Sequence, residues 1–330
     1  MRFILFCLGI ALFQTSFVFA QSFGAPVFLS IEPKNPGPNQ NVTALIESYS
    51  TNLNGATISW FVNGQLKEKG VGIKTFLFRT DDVGKTTKLL VTAVTVDGFL
   101  IEQQLTISPA DVEIFWEADS YTPPFYKGKK LYTHQGDIRL IALPRLVNSS
   151  GVQINPSNLI YTWKKDGVVQ QQGSGFAKQT LSLTGNFITR PALIELEVTS
   201  SDGAIKGSAR RTLRSTEAEV LVYEESPLYG TKLEKVLEGN FDLPQEEVTL
   251  IAVPYFFSVK NPIQAKYSWL MNSQSVGFGT NSITFRNETG SVGTSRISVK
   301  AENISRILQF GSKNFSVTFG ETGGESSFFR

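Results

Sequence analysis

The side chains best suited to chemistry are scarce. The chain has one histidine, His134, and one cysteine, Cys7. His134 sits in a polar stretch with Gln135, Gly136 and Asp137. A Ser–His–Asp hydrolase needs its histidine held between an orienting carboxylate and a serine on a strained turn. No G-x-S-x-G occurs, so His134 reads as a loop residue. Zinc catalysis takes three protein ligands, most often histidines or thiolates, and one histidine falls short of that set. Paired carboxylates hydrolyse glycosides only when two converge on one bond. Glu113, Glu117, Asp119, Glu224, Glu225, Glu246 and Glu247 show no spacing that forces this. Asp111, Glu217 and Glu219 lie near expected domain junctions but lack the dense Asp-x-Asp spacing of calcium loops. Gly173-Ser174-Gly175 and Gly277-Phe278-Gly279 have no lysine directly after the second glycine and lead into strands, unlike a phosphate-cradling loop. These residues predict no enzyme, no cofactor and no metal.

The aromatic residues offer a different chemistry. Tyr121, Phe125, Tyr126 and Tyr229 fall in loops, and Tyr255, Phe256 and Phe257 directly follow a strand. Exposed aromatic rings stack on sugars or anchor protein partners, because they present a large rigid area at small entropic cost. The same rings would also seal the ends of domains against each other. Both readings stand at this level.

The elements that position these residues form a repeat. Trp60, Trp163 and Trp269 recur about one hundred residues apart. Each lies in an alternating apolar run that ends three residues later in a polar turn: Asn63-Gly64, Asp166-Gly167 and Asn272-Ser273. An apolar strand precedes each Trp (42–46, 138–144 and 248–254) and another follows it (89–95, 193–199 and 295–301). The later strands run toward Asp97-Gly98, Asp202-Gly203 and Asn303. Asp-Gly between alternating apolar runs is a strong hairpin signal. Period-two alternation rich in Val, Ile, Thr and aromatics predicts strands throughout, and no sustained helical period is found.

The fold class is therefore all-β, with three tandem sandwiches at 21–109, 110–215 and 216–320, and a flexible tail at 321–330. Residues 1–20 read as a signal peptide. Arg2 precedes an apolar run from Phe3 to Phe13, and Val18-Phe19-Ala20 suits cleavage after Ala20. Beyond Cys7 the chain has no thiol, so each sandwich must be held by core burial alone. The short linkers predict a stiff rod. Of 330 residues, 31 are basic and 29 acidic, a balance that leaves no electrostatic footprint for nucleic acid.

A strand-central Trp followed by an Asn-Gly or Asp-Gly turn, inside a hundred-residue all-β unit, resembles the immunoglobulin-like and PKD-like repeats of bacterial cell-surface proteins. The resemblance covers about 22–319. It implies that Trp60, Trp163 and Trp269 pack between two sheets as structural core. The paired core cysteines of antibody domains and the acidic Gly-Asp-Gly of typical PKD repeats are absent. The second and third units also resemble secreted proteins of small-genome bacteria. The expected function is that of a non-catalytic, exported surface or envelope protein, a rigid spacer or adhesion module whose partner is another surface protein. The alternative is a carbohydrate-binding accessory module that holds cell-wall polysaccharide through its aromatic loops. A membrane would be met only through an uncleaved signal segment.

Overall fold

The computed structural model describes residues 27–185, 190–243, 247–288 and 290–320. The expected signal peptide and tail lie outside them. The chain divides into two compact units, the first built on the first sandwich and the second holding the other two.

The first sandwich has seven strands: β1 (Val27–Glu32), β2 (Asn41–Ser48), β3 (Thr57–Val62), β4 (Gln65–Val71), β5 (Thr75–Arg79), β6 (Thr87–Val94) and β7 (Leu100–Ile107). They form two sheets, ordered β1-β2-β5 and β4-β3-β6-β7. Strict alternation produces this. Val42, Ala44 and Ile46 of β2 and Leu89, Val91 and Ala93 of β6 are fully buried, while the residues between them face outward. Side chains in a strand point alternately to its two faces, so each sheet gives one face to the core.

In the second unit, the second sandwich comprises β8 (Asp111–Asp119), β9 (Asp137–Arg145), β10 (Leu159–Lys165), β11 (Val168–Val169), β12 (Gly175–Phe176), β13 (Thr180–Thr184), β14 (Ala192–Ser200) and β15 (Lys206–Leu213). Its sheets run β13-β9-β8 and β11-β10-β14-β15, with β12 also on β10. The third comprises β16 (Glu219–Ser226), β17 (Gly230–Thr231), β18 (Asn240–Asp242), β19 (Glu247–Tyr255), β20 (Ala265–Met271), β21 (Gln274–Phe278), β22 (Ser282–Arg286), β23 (Gly293–Asn303) and β24 (Phe310–Phe319). Its sheets run β17-β16-β19-β22 and β18-β24-β23-β20-β21. One feature escapes the repeat: β18 pairs in parallel with the end of β24, in register from Asn240–Ser316 to Asp242–Thr318. The architecture is all-β, three two-sheet sandwiches following one another along the chain.

One local motif recurs in all three sandwiches. Trp60, Trp163 and Trp269 have no exposed surface. Each indole N–H donates to a backbone carbonyl in a connection between the sheets, Ile73 at 2.9 Å, Lys178 at 3.1 Å and Thr280 at 3.1 Å. A buried indole needs such a partner, and here the hydrogen bond ties the tryptophan to the connection that leads from its own sheet to the other. The turn three residues on is equally regular. Asn63, Asp166 and Asn272 take φ near 50°, followed by Gly64, Gly167 and Ser273 at 79°, 80° and 71°. Two positive φ values make the mirror-image turn that matches strand twist. Each leading side chain accepts a backbone N–H from the facing strand, Lys88 at 2.8 Å, Leu193 at 2.9 Å and Arg296 at 2.9 Å.

Ser273 is the departure. It holds a left-handed conformation that costs a side-chain-bearing residue about 1–2 kcal/mol and glycine almost nothing. Ser273→Gly should therefore raise the stability of the third sandwich by about 1 kcal/mol, read as a higher urea midpoint. A lower midpoint would mean that the serine hydroxyl contributes more than the backbone strain removes.

Candidate functional site

The aromatic residues singled out in the sequence converge, in part, where the second and third sandwiches meet. Strand β19 ends at Tyr255, and Phe256 then takes φ of 65°. That conformation is costly for a bulky residue and breaks the strand's alternation. Phe257 consequently enters the core of the third sandwich. Tyr255 and Phe256 join Tyr223 and Val253 in a separate buried cluster. Tyr121 and Leu131 of the second sandwich pack onto that cluster. The two backbones also bond directly. Phe256 N–H donates to the Tyr121 carbonyl at 2.7 Å, and Tyr121 N–H donates to the Phe257 carbonyl at 2.7 Å. Tyr126 sets its ring edge-to-face against Tyr255 and Phe256, with centroids 5.9 and 5.8 Å apart.

This corrects the candidate contact set. Tyr255, Phe256 and Phe257 are buried and offer no platform to a ligand: Phe257 enters the core of the third sandwich, and Tyr255 and Phe256 lie in the cluster that Tyr121 and Leu131 pack onto. Tyr121 is half-buried at the same seam, and Tyr126 keeps 37% of its surface. Phe125 and Tyr229 stand in solvent, 95% and 85% exposed. Of the seven, these two rings are the most open.

Polar groups that the sequence did not signal lock the same seam. Gln309 is 1% exposed. Its amide nitrogen donates to the His134 carbonyl at 2.9 Å, to Ser258 Oγ at 2.8 Å and to Thr133 Oγ1 at 3.2 Å. Its amide oxygen accepts from Ser258 N–H at 2.7 Å and Asn303 Nδ2 at 2.8 Å. Thr133 in turn donates to the Phe256 carbonyl at 2.8 Å. Gln135, also buried, accepts from Leu308 N–H at 2.7 Å. At the rim, Arg306 pairs with Asp137 at 3.0 Å. No buried side-chain nitrogen or oxygen among the described residues lacks a partner. A fully satisfied buried network fixes one geometry, since any alternative leaves a donor or acceptor unpaired.

His134 is half-buried, and its Nδ1 lies 2.8 Å from Ser215 Oγ. The cavity beside this pair is about 40 Å³, room for a water and not for an acyl substrate. Ser215 belongs to the linker between the two sandwiches, so the bond ties the linker to the 132–136 loop. Among the described residues, no group of three or more His, Cys, Asp or Glu side chains converges to hold a metal ion.

Burial controls the titration of the tyrosines. Desolvation pushes the Tyr161 phenol up to about 12. Desolvation also raises Tyr267 and Tyr223, the latter helped by its 2.7 Å bond to the Tyr255 hydroxyl. An unfolded tyrosine ionises near 10. A folded value above that means the fold favours the neutral phenol. The contribution is complete below about pH 10 and is lost as pH rises through the folded values. The urea midpoint should hold steady from about pH 7 to 9 on this account and fall steeply above pH 10. A midpoint still flat at pH 11 would contradict the burial of these hydroxyls.

No known protein family's profile matches the chain, and no curated protein does. Solved structures do. Three N-terminal domains of the bacteriophage RB49 Highly Immunogenic Outer Capsid protein align over 89% of this chain and 99% of theirs, at 12% identity and a TM-score of 0.26. The central fibronectin-III array of RIM-binding protein aligns over 89% and 96%, at 13% identity and a TM-score of 0.28. Immunoglobulin domains 1–5 of Sidekick-1 align over 90% and 59%, at 10% identity and a TM-score of 0.29. The assignment of sandwiches to this chain rests on its own sheets, its buried tryptophans and its repeated turn.

Proposed function

We propose that the protein is a non-catalytic spacer and binding module, exported to the cell surface or envelope, that presents its loops and sheet edges to a surface protein. The observation that supports this reading is the seam between the second and third sandwiches. A shared aromatic cluster, a backbone exchange at Tyr121 and the Gln309 network hold them as one compact unit. A seam of this kind transmits force and keeps loops at a set separation, which suits a spacer and wastes the stability of a mere tether. The export reading comes from the apolar segment Phe3–Phe13 after Arg2.

A second reading, glycan binding, is favoured by Phe125 and Tyr229, two rings with almost all of their surface in water. Stacking on a sugar would use such rings directly. Crosslinking the native chain in its host, then identifying what travels with it, separates the two. Recovery with an envelope protein, unchanged in Phe125→Ala and Tyr229→Ala, supports the spacer. Recovery with wall polysaccharide that either substitution abolishes supports the glycan reading. A chain recovered free in the cytosol overturns both.

A further inference from the structure

The first and last strands of the second sandwich, β8 and β15, are edge strands of opposite sheets. Between them opens a groove of about 480 Å³. It is lined by Lys129, Arg210 and Arg211, with Glu113 as its one acid and Phe115 half exposed beside it. Arg210 is answered by Glu195 at 3.2 Å. Lys129 and Arg211 form no ion pair among the described residues. The Lys129 ammonium rests 3.4 Å above the Trp116 ring centroid. Partial burial, and to a smaller extent the nearby Arg211, lowers its proton affinity.

The third sandwich repeats the groove with the opposite sign. Strand β17 covers β16 only at Glu225 and Ser226, and β18 covers β24 only at Ser316–Thr318. The uncovered parts of β16 and β24 flank a groove of about 650 Å³. Glu217, Glu219 and Glu238 line it, with Lys313 as its one base and Phe310 half exposed. Lys313 is taken by Glu238 at 2.9 Å. Glu217 and Glu219 form no ion pair among the described residues. Each groove thus carries open strand edges, one exposed phenylalanine and two charges of one sign that are unpaired among the described residues, positive in the first, where they outnumber the unpaired Glu113, and negative in the second.

We propose that these grooves are the two halves of one contact between copies of this chain, the second sandwich of one molecule seated on the third sandwich of the next. The complement to each groove is present on every copy, in charge and in apolar content. Open edges supply backbone donors and acceptors for pairing across the contact. Two different patches make the contact head-to-tail, so it builds a ring or an open row rather than closing a twofold dimer. The inference goes beyond the spacer reading and does not depend on it.

Sedimentation of the purified full chain tests this. Average mass should rise with concentration at about 0.05 M salt and return to that of the monomer near 1 M, where the Debye length is about 3 Å. Two double variants, Lys129→Glu with Arg211→Glu and Glu217→Lys with Glu219→Lys, should each weaken association by at least about tenfold. An equimolar mixture of the two should associate again, because each then offers the charge the other lacks. Misfolding cannot produce that rescue. A wild-type chain that is monomeric at every concentration, variants that associate as before, or a mixture that stays monomeric would each overturn the proposal.

Discussion

Trp163→Ala should destabilise the second sandwich by about 3–5 kcal/mol, the cost of deleting a large aromatic from a packed core. The indole lies among Tyr161, Leu140, Leu181 and Leu196, all buried, and has no exposed surface of its own. Alanine leaves a cavity that the two sheets cannot close without moving, and it orphans the Lys178 carbonyl that the indole N–H satisfied. Trp269→Ala should cost the third sandwich a similar amount, for the same reasons at the Thr280 carbonyl. Urea unfolding followed by circular dichroism reads both. Trp163→Phe keeps most of the ring volume and should cost clearly less. Equal midpoints for wild type and Trp163→Ala would mean that the tryptophan is not the keystone of its core.

The second large effect belongs to Gln309. In Gln309→Leu the side-chain volume is nearly kept while every hydrogen bond of the amide is lost. Ser258 N–H and the His134 carbonyl then lose their partners, and Asn303 Nδ2 keeps its bond to the Ser258 carbonyl. An unpaired buried polar group costs about 1–3 kcal/mol, and partial relaxation makes about 3 kcal/mol the expected total. Part of the loss falls on the contact between the sandwiches, through Thr133 and His134, and part within the third sandwich. The wild-type second and third sandwiches should melt together, and the variant should show two transitions in calorimetry. Arg306→Ala should shift the melt far less, by under about 1 kcal/mol, since its pair with Asp137 is partly solvated. A single unchanged transition in Gln309→Leu would show that the aromatic cluster alone holds the seam.

The contrast between these two residues shows where the sequence is legible. Trp60, Trp163 and Trp269 announce themselves because strand alternation is local and because three copies repeat it with the same turn behind it. The hairpin at Asp166-Gly167 and its relatives follow from backbone stereochemistry alone. Gln309 has no such signal. It meets Thr133 and His134 across more than 170 residues of chain, and a glutamine after a turn looks the same whether it faces water or a neighbouring domain. The run Tyr255-Phe256-Phe257 is intermediate. Its aromatic content is visible, but its direction depends on the positive φ of Phe256, which no propensity predicts for phenylalanine. A ring expected at the surface therefore lies at a seam, and Phe125 and Tyr229 remain as the open ones. The grooves beside β8 and β16 were invisible for a further reason: they exist only once first and last strands are brought side by side.

The central claim is that the second and third sandwiches move as one body. Residual dipolar couplings of the full chain, measured in a weakly aligning medium, test it most directly. Backbone amides of β8–β15 and of β16–β24 should fit a single alignment tensor in wild type, with the relative orientation set by the Tyr121, Thr133 and Gln309 contacts. Two tensors of clearly different magnitude would mean that the sandwiches reorient independently, and the spacer account would fail with them.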